Sequence, residues 1–215
     1  MAHKAQYSED IKTPPAIIAY ANNLFETREN KSGRKQYGCV LLFPKATTDM
    51  SKISGIILEA AEKSWPGKAK ERLQSELIKN PILDGDGKQG LNKETGERHP
   101  GYAGHWFIRC NSGEKRPPKV FGSNAVSRIT DDTELPSGST VFGVINAWTW
   151  NNEEQGDGVS LNINIVQLAK KAEGDEVLGG GGGGPDPEKF LEKIADEGET
   201  PEAAKTGDGA GGLFA

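Results

Sequence analysis

The most constraining feature of this sequence is a strictly alternating segment, Val159 to Leu168, which reads VSLNINIVQL. Its residues at 159, 161, 163 and 165 are apolar, whereas those at 160, 162 and 164 are polar. Successive side chains of a β-strand point to opposite faces, so the pattern predicts a strand with one buried face. Strands of this kind are typical of an antiparallel sheet or a barrel.

Four further segments have strand-like composition. They run from Ala16 to Phe25, Gln36 to Pro44, Ala103 to Asn111 and Thr140 to Asn151. The charged stretch ENKSGRK predicts a hairpin loop between the first two, EEQGDG predicts a turn before Val159, and Lys119 to Phe121 suggests an edge strand. In the third segment, alternation places residues 106, 108 and 110 on the core face and residues 105, 107, 109 and 111 on the other.

Two helices are predicted between the early and the late strands. Residues 53, 56, 57, 60 and 61 are apolar at helical spacing within Thr48 to Lys63, and Thr48-Asp49 resembles a cap. A second helix is expected from Gly67 to Lys79, followed by a loop from Asn80 to Gly101. The protein is therefore predicted to be mainly β, a five-stranded Greek-key barrel of OB-fold type with a helical insertion. Periodicity alone leaves another small α+β barrel open.

Charge divides the chain into a body and a tail. Overall, 31 acidic residues face 26 basic ones, but 11 acidic residues and only three lysines lie after residue 172, so the remaining residues carry +3. Six glycines, Gly179 to Gly184, read as a flexible linker. We therefore expect a folded domain at 1–178 and a disordered acidic tail at 179–215. Such a tail serves either solubility or a tethered role, occupying the basic surface of the body or binding a partner protein.

Several classes of protein are disfavoured by the sequence. No apolar run approaches the roughly 18 residues of a membrane span, and no apolar stretch near the N-terminus predicts a secretory signal. The two cysteines, Cys39 and Cys110, lie far apart with no second pair, so they cannot build a disulfide framework or a four-ligand zinc site. We therefore expect an intracellular protein without a membrane anchor.

No catalytic constellation is recognisable. The chain has no GxxxxGK[ST] phosphate loop and no GxSxG elbow, and its three histidines lack metal-site spacing. Asp84 and Asp86 suggest a calcium loop, but Gln89 and Thr95 replace the glycine and glutamate that an EF-hand requires. We expect neither an enzyme nor a bound metal or cofactor.

Residues suited to binding single-stranded nucleic acid are better represented. Cationic side chains hold the phosphates, and aromatic faces stack on the bases. The candidates are Arg34, Lys35, Tyr37, His105, Phe107, Arg109, Lys115, Arg116, Trp148 and Trp150. A structural role is the alternative for each: the aromatic rings would close the barrel ends, and the basic pairs would be solvated loop charges.

The ordered motifs along the chain resemble those of bacteriophage single-stranded DNA-binding proteins of the replication and recombination type. The resemblance covers about Lys12 to Leu178 and rests on YGCVLLFPK, SKISGIILEAAEK, NPILDGD, GHWFIRCNS, PPKVFG and the long segment from Thr140 to Gly180. It implies an OB-fold protein that coats and protects single-stranded DNA without sequence preference, in the cytoplasm of an infected bacterial host.

The resemblance also implies a role for the acidic tail in contacting the phage DNA polymerase or other replication proteins. In that family the tail often ends in an aromatic residue, whereas here Leu213 and Phe214 precede Ala215 and Asp208 is the only acidic residue near the tip. Leu213 and Phe214 are the predicted partner-binding residues. A monomer and a dimer both remain open, and an OB-like protein-interaction module without nucleic-acid binding is the alternative function.

Overall fold

The structure is a computed structural model that describes residues 4–30 and 32–178. The chain divides into a unit of residues 1–181 and a second of residues 182–215. That second unit, the predicted tail at 179–215 and the predicted partner-binding residues Leu213 and Phe214 lie outside the described residues.

The described part of the chain contains ten β-strands and two α-helices. The strands are β1 (Ile11–Lys12), β2 (Ala16–Ala19), β3 (Arg28–Glu29), β4 (Lys35–Pro44), β5 (Ile78–Lys79), β6 (Ile82–Asp84), β7 (His105–Gly113), β8 (Lys119–Phe121), β9 (Thr140–Asn152) and β10 (Gly156–Lys170). The helices are α1 (Ser51–Ser64) and α2 (Ala69–Gln74). Neither of these helices is long and apolar enough to cross a membrane.

Five strands close into a barrel. Strand β2 pairs with both β4 and β9, β4 pairs with β7, β7 pairs in parallel with β10, and β10 pairs antiparallel with β9. If the five barrel strands are numbered along the chain, their order around the barrel is 1-2-3-5-4. The pairing of β9 with β2 closes the ring. This is the five-stranded Greek-key arrangement of an OB-fold, and both helices lie between its second and third strands, as predicted.

The barrel core follows the alternation of the sequence. Val159, Leu161 and Ile163 of β10 are buried, as are Ile145 and Ala147 of the neighbouring β9. The prediction that Ile165 also points inward is wrong, because the pairing with β9 shifts by one residue between positions 163 and 165. Such a bulge reverses the faces beyond it, and the next fully buried residue is at position 166.

Helix α1 packs against the barrel, chiefly against β9, and completes its core. Its buried face contains the five residues that the spacing predicts, Ile53, Ile56, Ile57, Ala60 and Ala61. The helix begins at Ser51 rather than Thr48, and the Asp49 carboxylate accepts hydrogen bonds from the Ser51 backbone N–H and hydroxyl, both at 2.8 Å. Helix α2 ends early, because Glu76 adopts a left-handed backbone with φ of 57°.

Two predicted segments differ in the structure. The predicted strand from Ala16 to Phe25 ends at Ala19, since Tyr20 has a left-handed φ of 57° and residues 21–24 form a 3-10 helix. The predicted loop from Asn80 to Gly101 contains the short strand β6, which pairs antiparallel with β7.

Cys39 and Cys110, although far apart in the sequence, face each other across β4 and β7 as free, buried thiols. Burial raises the pKa of Cys39 to about 12 and also raises that of Cys110. At neutral pH both are therefore protonated and act as small apolar core groups.

An ion-pair cluster anchors the loop that follows β6. The Lys45 ammonium lies 2.5 Å from Asp84 Oδ1 and 2.7 Å from Asp86 Oδ2, and the other Asp86 oxygen accepts the Gly104 N–H at 2.9 Å. The two carboxylates considered for a calcium loop are thus occupied by a lysine. Hydrogen bonds from Lys45 lower the pKa of both carboxyls, and those bonds in turn raise the pKa of Lys45.

These shifts predict an acid-dependent contribution to stability. A carboxyl whose pKa is lowered on folding stabilises the fold at pH above its ordinary value of 3.8, and the contribution is lost as the pH falls through the folded-state pKa. The double variant Asp84→Asn/Asp86→Asn should melt at a lower temperature at pH 7 and lose less stability between pH 7 and pH 3. Thermal melts at several pH values test this, with Glu94→Gln as an exposed control; pH profiles parallel to wild type would contradict it.

Candidate nucleic-acid interface

The outward face of the β9–β10 ribbon carries the two tryptophans of the predicted site. Trp148 and Trp150 are half-buried and alternate with Ala147 and Thr149, which are fully buried. Trp148 pairs with Ser160 and Asn146 pairs with Asn162 on β10. Both indoles therefore lie on one side of the sheet, as their spacing predicts.

A groove of about 460 Å³ opens beside Trp148. We call it the strand-face groove; it is lined by Tyr7, Ser112, Gly113, Glu114, Lys115, Arg116, Trp148, Asn162 and Asn164. The structure thus brings together three predicted residues, Lys115, Arg116 and Trp148. The groove combines an aromatic wall with two cations and two amides, which suits a polyanion that carries flat bases.

The turn after β7 positions the two cations. The Arg116 N–H donates to the Gly113 carbonyl at 2.8 Å, and the buried Ser112 hydroxyl donates to the Arg116 carbonyl. These bonds fix the backbone of the turn, while the side chains of Lys115 and Arg116 remain exposed. The backbone of the turn therefore places both cationic residues at this rim of the groove.

Tyr7 is a groove residue that the sequence reasoning missed. It forms an isolated antiparallel bridge with Trp148, its side chain is 49% exposed, and its carbonyl accepts a hydrogen bond from Lys63 at 2.8 Å. A lone tyrosine near the start of the chain gives no local signal, because only the bridge to β9 brings it beside the tryptophan.

Trp150 is fixed against the sheet by its neighbours on β10. Its indole N–H donates to the Ser160 hydroxyl at 2.9 Å, and a Cβ on Gly158 would lie 2.1 Å from the indole ring. The glycine therefore allows the ring to lie directly on the backbone. The Lys79 ammonium lies 5.6 Å from the ring centroid, which adds a cation beside this aromatic surface.

A row of amide side chains crosses the same outward face. Asn162 donates to Asn146 at 2.9 Å on one side, and its backbone partner on the other is Asn111 of β7. Asn111 accepts from Gln36 at 3.1 Å. Amides both donate and accept hydrogen bonds, so the row offers partners to bases and to phosphates alike. The sequence reasoning placed Asn162 and Asn164 outward without assigning them to the site.

Three further predicted cations extend along the same sheet. Arg109 is exposed on the outward face, two residues from Asn111, and its guanidinium lies 5.1 Å from the Phe107 ring centroid. Arg34 and Lys35 are exposed at the β3–β4 hairpin. This hairpin and the Lys115-Arg116 turn project from the same end of the sheet, because Gln36 pairs with Gly113.

Phe107 requires a correction. It lies on the outward face, as alternation predicts, yet it is fully buried, because a second apolar cluster with Val40, Leu42 and Tyr102 covers that part of the sheet. Its ring centroid lies 4.7 Å from that of Tyr102. Phe107 therefore has no exposed face for a base and belongs to this outer cluster.

Two other predicted residues lie away from the groove. Tyr37 shares the alternation of Cys39 and therefore points to the core side of β4, where it pairs with Ser112. His105 lies at the opposite end of β7 from Gly113, and its Nδ1 donates to the Ala103 carbonyl at 2.7 Å. Neither residue lines the strand-face groove.

Within residues 4–30 and 32–178, no group of three or more His, Cys, Asp or Glu side chains is placed to hold a metal ion. The chemistry available in the strand-face groove is that of stacking, hydrogen bonding and charge pairing.

Comparisons with known proteins identify a matching family. The family described as the single-stranded DNA-binding protein of Enterobacter phage Enc34 matches residues 10–200. No curated protein sequence matches the chain.

Solved structures resemble the fold. The single-stranded DNA-binding protein of bacteriophage Enc34 in complex with single-stranded DNA is 22% identical, with a TM-score of 0.55 over 77% of this chain and 89% of that one. The single-stranded DNA-binding protein gp2.5 of bacteriophage T7 is 14% identical, with a TM-score of 0.52 over 88% of this chain and 100% of that one. At these identities the likeness establishes a shared fold.

Proposed function

Because the chain belongs to the family of the Enterobacter phage Enc34 single-stranded DNA-binding protein, we propose that it binds single-stranded DNA in the strand-face groove. The observation that carries this assignment is the convergence of Tyr7 and Trp148 with Lys115 and Arg116 in one open groove. Aromatic faces stack on any base and cations hold any phosphate, so the binding is independent of sequence.

The function that follows is coating and protection of single-stranded DNA during phage replication and recombination. The family consists of DNA-binding proteins, not enzymes. The cellular site of this activity is the cytoplasm of the infected bacterium. The related protein solved with single-stranded DNA has the same fold and supports the proposal.

Tryptophan fluorescence during titration with oligo-dT tests the proposal. Binding should quench the fluorescence, saturate and weaken with salt, with a slope of log K against log salt near −3 if about four phosphates are contacted at roughly 0.7 each. The variant Lys115→Ala/Arg116→Ala should make that slope shallower by about 1.4.

The matched control is Lys68→Ala/Lys70→Ala, which removes the same charge from exposed positions around α2 outside the groove. Its salt slope should equal that of the wild type. Absence of both quenching and an anisotropy change in the wild type would contradict single-stranded DNA binding and favour the OB-like protein-interaction module.

The acidic tail is proposed to compete with DNA for the basic surface of the body. Residues 179–215 carry eight acidic side chains and three lysines, a net charge of −5 that their deletion removes from the chain. Deletion of residues after Leu178 should therefore tighten oligo-dT binding at low salt, with a smaller effect at high salt because ions screen the competition. Unchanged or weaker binding by the truncated chain would contradict this competition.

The same tail is proposed to recruit the phage DNA polymerase or another replication protein through Leu213 and Phe214. An apolar tip on a charged segment offers a partner two anchoring side chains without a folded interface. A pull-down of purified phage polymerase by wild type and by Leu213→Ala/Phe214→Ala measures this contact.

A further inference from the structure

The bulge in β10 places an apolar pair on the outer surface of the barrel. Beyond the register shift Ile165 points outward, where it pairs with Val144 of β9. Val144 alternates with Gly143 and Ile145, which are buried, so it points outward as well. The two aliphatic side chains therefore lie side by side on the outer surface, because directly opposed residues of paired strands share a face.

A lysine lies at each end of this row. Lys12 of β1 pairs with Val144, and Lys119 of β8 pairs with Ile165, so the register crosses four strands. Both lysines are exposed, whereas Val144 and Ile165 are half-buried. The row therefore has an apolar centre between two positive rims.

The neighbouring row adds two aromatic side chains. Phe142 of β9 and Phe121 of β8 both pair with Gln167 of β10, and both are half-buried. We call Phe121, Phe142, Val144 and Ile165, together with Lys12 and Lys119, the lysine-rimmed face. Neither buried cluster of the described part of the chain includes its four apolar residues. Contiguous apolar side chains with a polar rim on an outer surface are typical of a protein-contact surface.

The positive charge of this face lies directly against its apolar part. The Lys12 ammonium lies 4.2 Å from the Phe142 ring centroid and donates to Gln167 Oε1 at 3.1 Å. Arg128, which is exposed and bridged to Phe121, adds a third cation on the side of β8. Such a surface is complementary to a segment that combines apolar side chains with carboxylates.

The lysine-rimmed face is poorly suited to continue the path of a nucleic acid. Lys12 covers one face of the Phe142 ring, and the aliphatic centre has no flat ring on which a base could stack. The Asp10 carboxylate accepts a hydrogen bond at 2.8 Å from Asn164, the groove residue that directly precedes Ile165. A negative charge at this boundary repels a phosphate backbone, so the observations favour a protein partner.

A second copy of this chain is also a poor occupant. In a two-fold symmetric contact the same patch is used on both copies, which would bring Lys12 and Lys119 of one copy towards the same lysines of the other. Like charges brought together across an interface oppose association. An acidic partner avoids this repulsion.

We propose that the lysine-rimmed face docks an acidic peptide segment of a partner protein. Apolar side chains of that segment cover Val144 and Ile165, and its carboxylates pair with Lys12 and Lys119 at the two rims. The contact is made by the folded barrel, outside the strand-face groove, so the protein can hold this partner without giving up that groove.

A synthetic acidic peptide tests the proposal on the full-length protein. The probe is a fluorescein-labelled peptide of sequence EELFEELIEELF, and its control is the lysine analogue KKLFKKLIKKLF. Anisotropy should show saturable binding of the acidic peptide that weakens with salt, and binding of the lysine analogue should be at least about tenfold weaker because the rims repel it.

Charge removal at the rims gives the first variant. Lys12→Gln/Lys119→Gln should weaken binding of the acidic peptide about fivefold, as expected for the loss of two exposed ion pairs. The matched control Lys68→Gln/Lys70→Gln removes the same charge from exposed positions around α2 and should bind the peptide as the wild type does.

The apolar centre gives the second variant. Ile165→Thr keeps a β-branched side chain in the strand but removes apolar surface, and it should weaken peptide binding about tenfold. Ile165→Val should retain most of the affinity. Thermal melts confirm that each variant is folded, and the affinity of each for oligo-dT should equal that of the wild type.

Some results would show that the acidic peptide does not use this face. The wild type might bind neither peptide or bind both equally, and either result would overturn the proposal. Loss of peptide binding in Lys115→Ala/Arg116→Ala, with wild-type binding in Lys12→Gln/Lys119→Gln, would place the peptide in the strand-face groove.

Other results would assign the face to a different occupant and would equally overturn the proposal. Weaker oligo-dT binding by Lys12→Gln/Lys119→Gln would assign it to nucleic acid. Peptide binding that appears only in Phe190→Ser/Leu191→Ser would assign it to the chain's own acidic segment. A dimer in sedimentation velocity that Ile165→Thr dissociates would assign it to a second copy.

Discussion

Replacement of Trp148 by alanine should weaken the binding free energy for oligo-dT by about 1–3 kcal/mol. This corresponds to a loss of affinity of roughly five- to 150-fold. Trp148 lines the strand-face groove, where it forms an antiparallel β-bridge with the exposed Tyr7. Removing it takes away the flat surface against which a base would pack, while Lys115 and Arg116 remain to hold phosphates.

The conservative variant Trp148→Phe separates stacking from folding. It keeps an aromatic face of smaller area, so it should bind with an affinity between those of the wild type and Trp148→Ala. Because the substitution removes a fluorophore, the measurement is anisotropy of labelled dT20. Equal affinities for the wild type and the alanine variant would show that bases do not stack on this residue.

Replacement of Phe107 by alanine should lower the stability of the fold strongly. Phe107 is fully buried on the outer face of β7, in contact with Tyr102 and covered by the Arg109 guanidinium. Truncation of a buried phenylalanine leaves a cavity and typically costs about 3–5 kcal/mol of the free energy of unfolding. Urea denaturation of both proteins measures the difference.

Phe107→Leu is the matched control for this prediction. It preserves most of the apolar volume, so its loss of stability should be clearly smaller, and its affinity for dT5 should equal that of the wild type. The same affinity is expected of Phe107→Ala under conditions where it is folded. A loss of DNA affinity in the folded leucine variant would show that Phe107 contributes to DNA binding.

Local pattern was sufficient to predict much of the barrel. The alternation in β10 assigned its faces up to position 163, the spacing of Trp148 and Trp150 placed both on one face of β9, and helical spacing identified the buried face of α1. The bulge before Ile165 escaped prediction, since nothing in an alternating sequence indicates where a strand will accommodate an extra residue.

The candidate site shows the same limit more sharply. Alternation correctly put Phe107 outward, but an outward residue is exposed only if no other segment covers it, and the loop that carries Tyr102 does so. Tyr7 joins Trp148 only through a β-bridge between the N-terminal segment and β9, which are far apart in the sequence. Lys115, Arg116 and Trp148 were predictable as residue types, whereas their convergence depends on the closed barrel.

The closure of the barrel between β2 and β9 determines when the protein can fold during its synthesis. Strand β2 ends at Ala19, but β9, which completes its pairing, begins only at Thr140. Ribosomes add roughly 5–20 residues per second, so the N-terminal strand emerges on the order of ten seconds before its partner. Throughout that interval one edge of β2 lacks the strand that pairs with it, and the last two strands to emerge, β9 and β10, are the ones that complete the barrel.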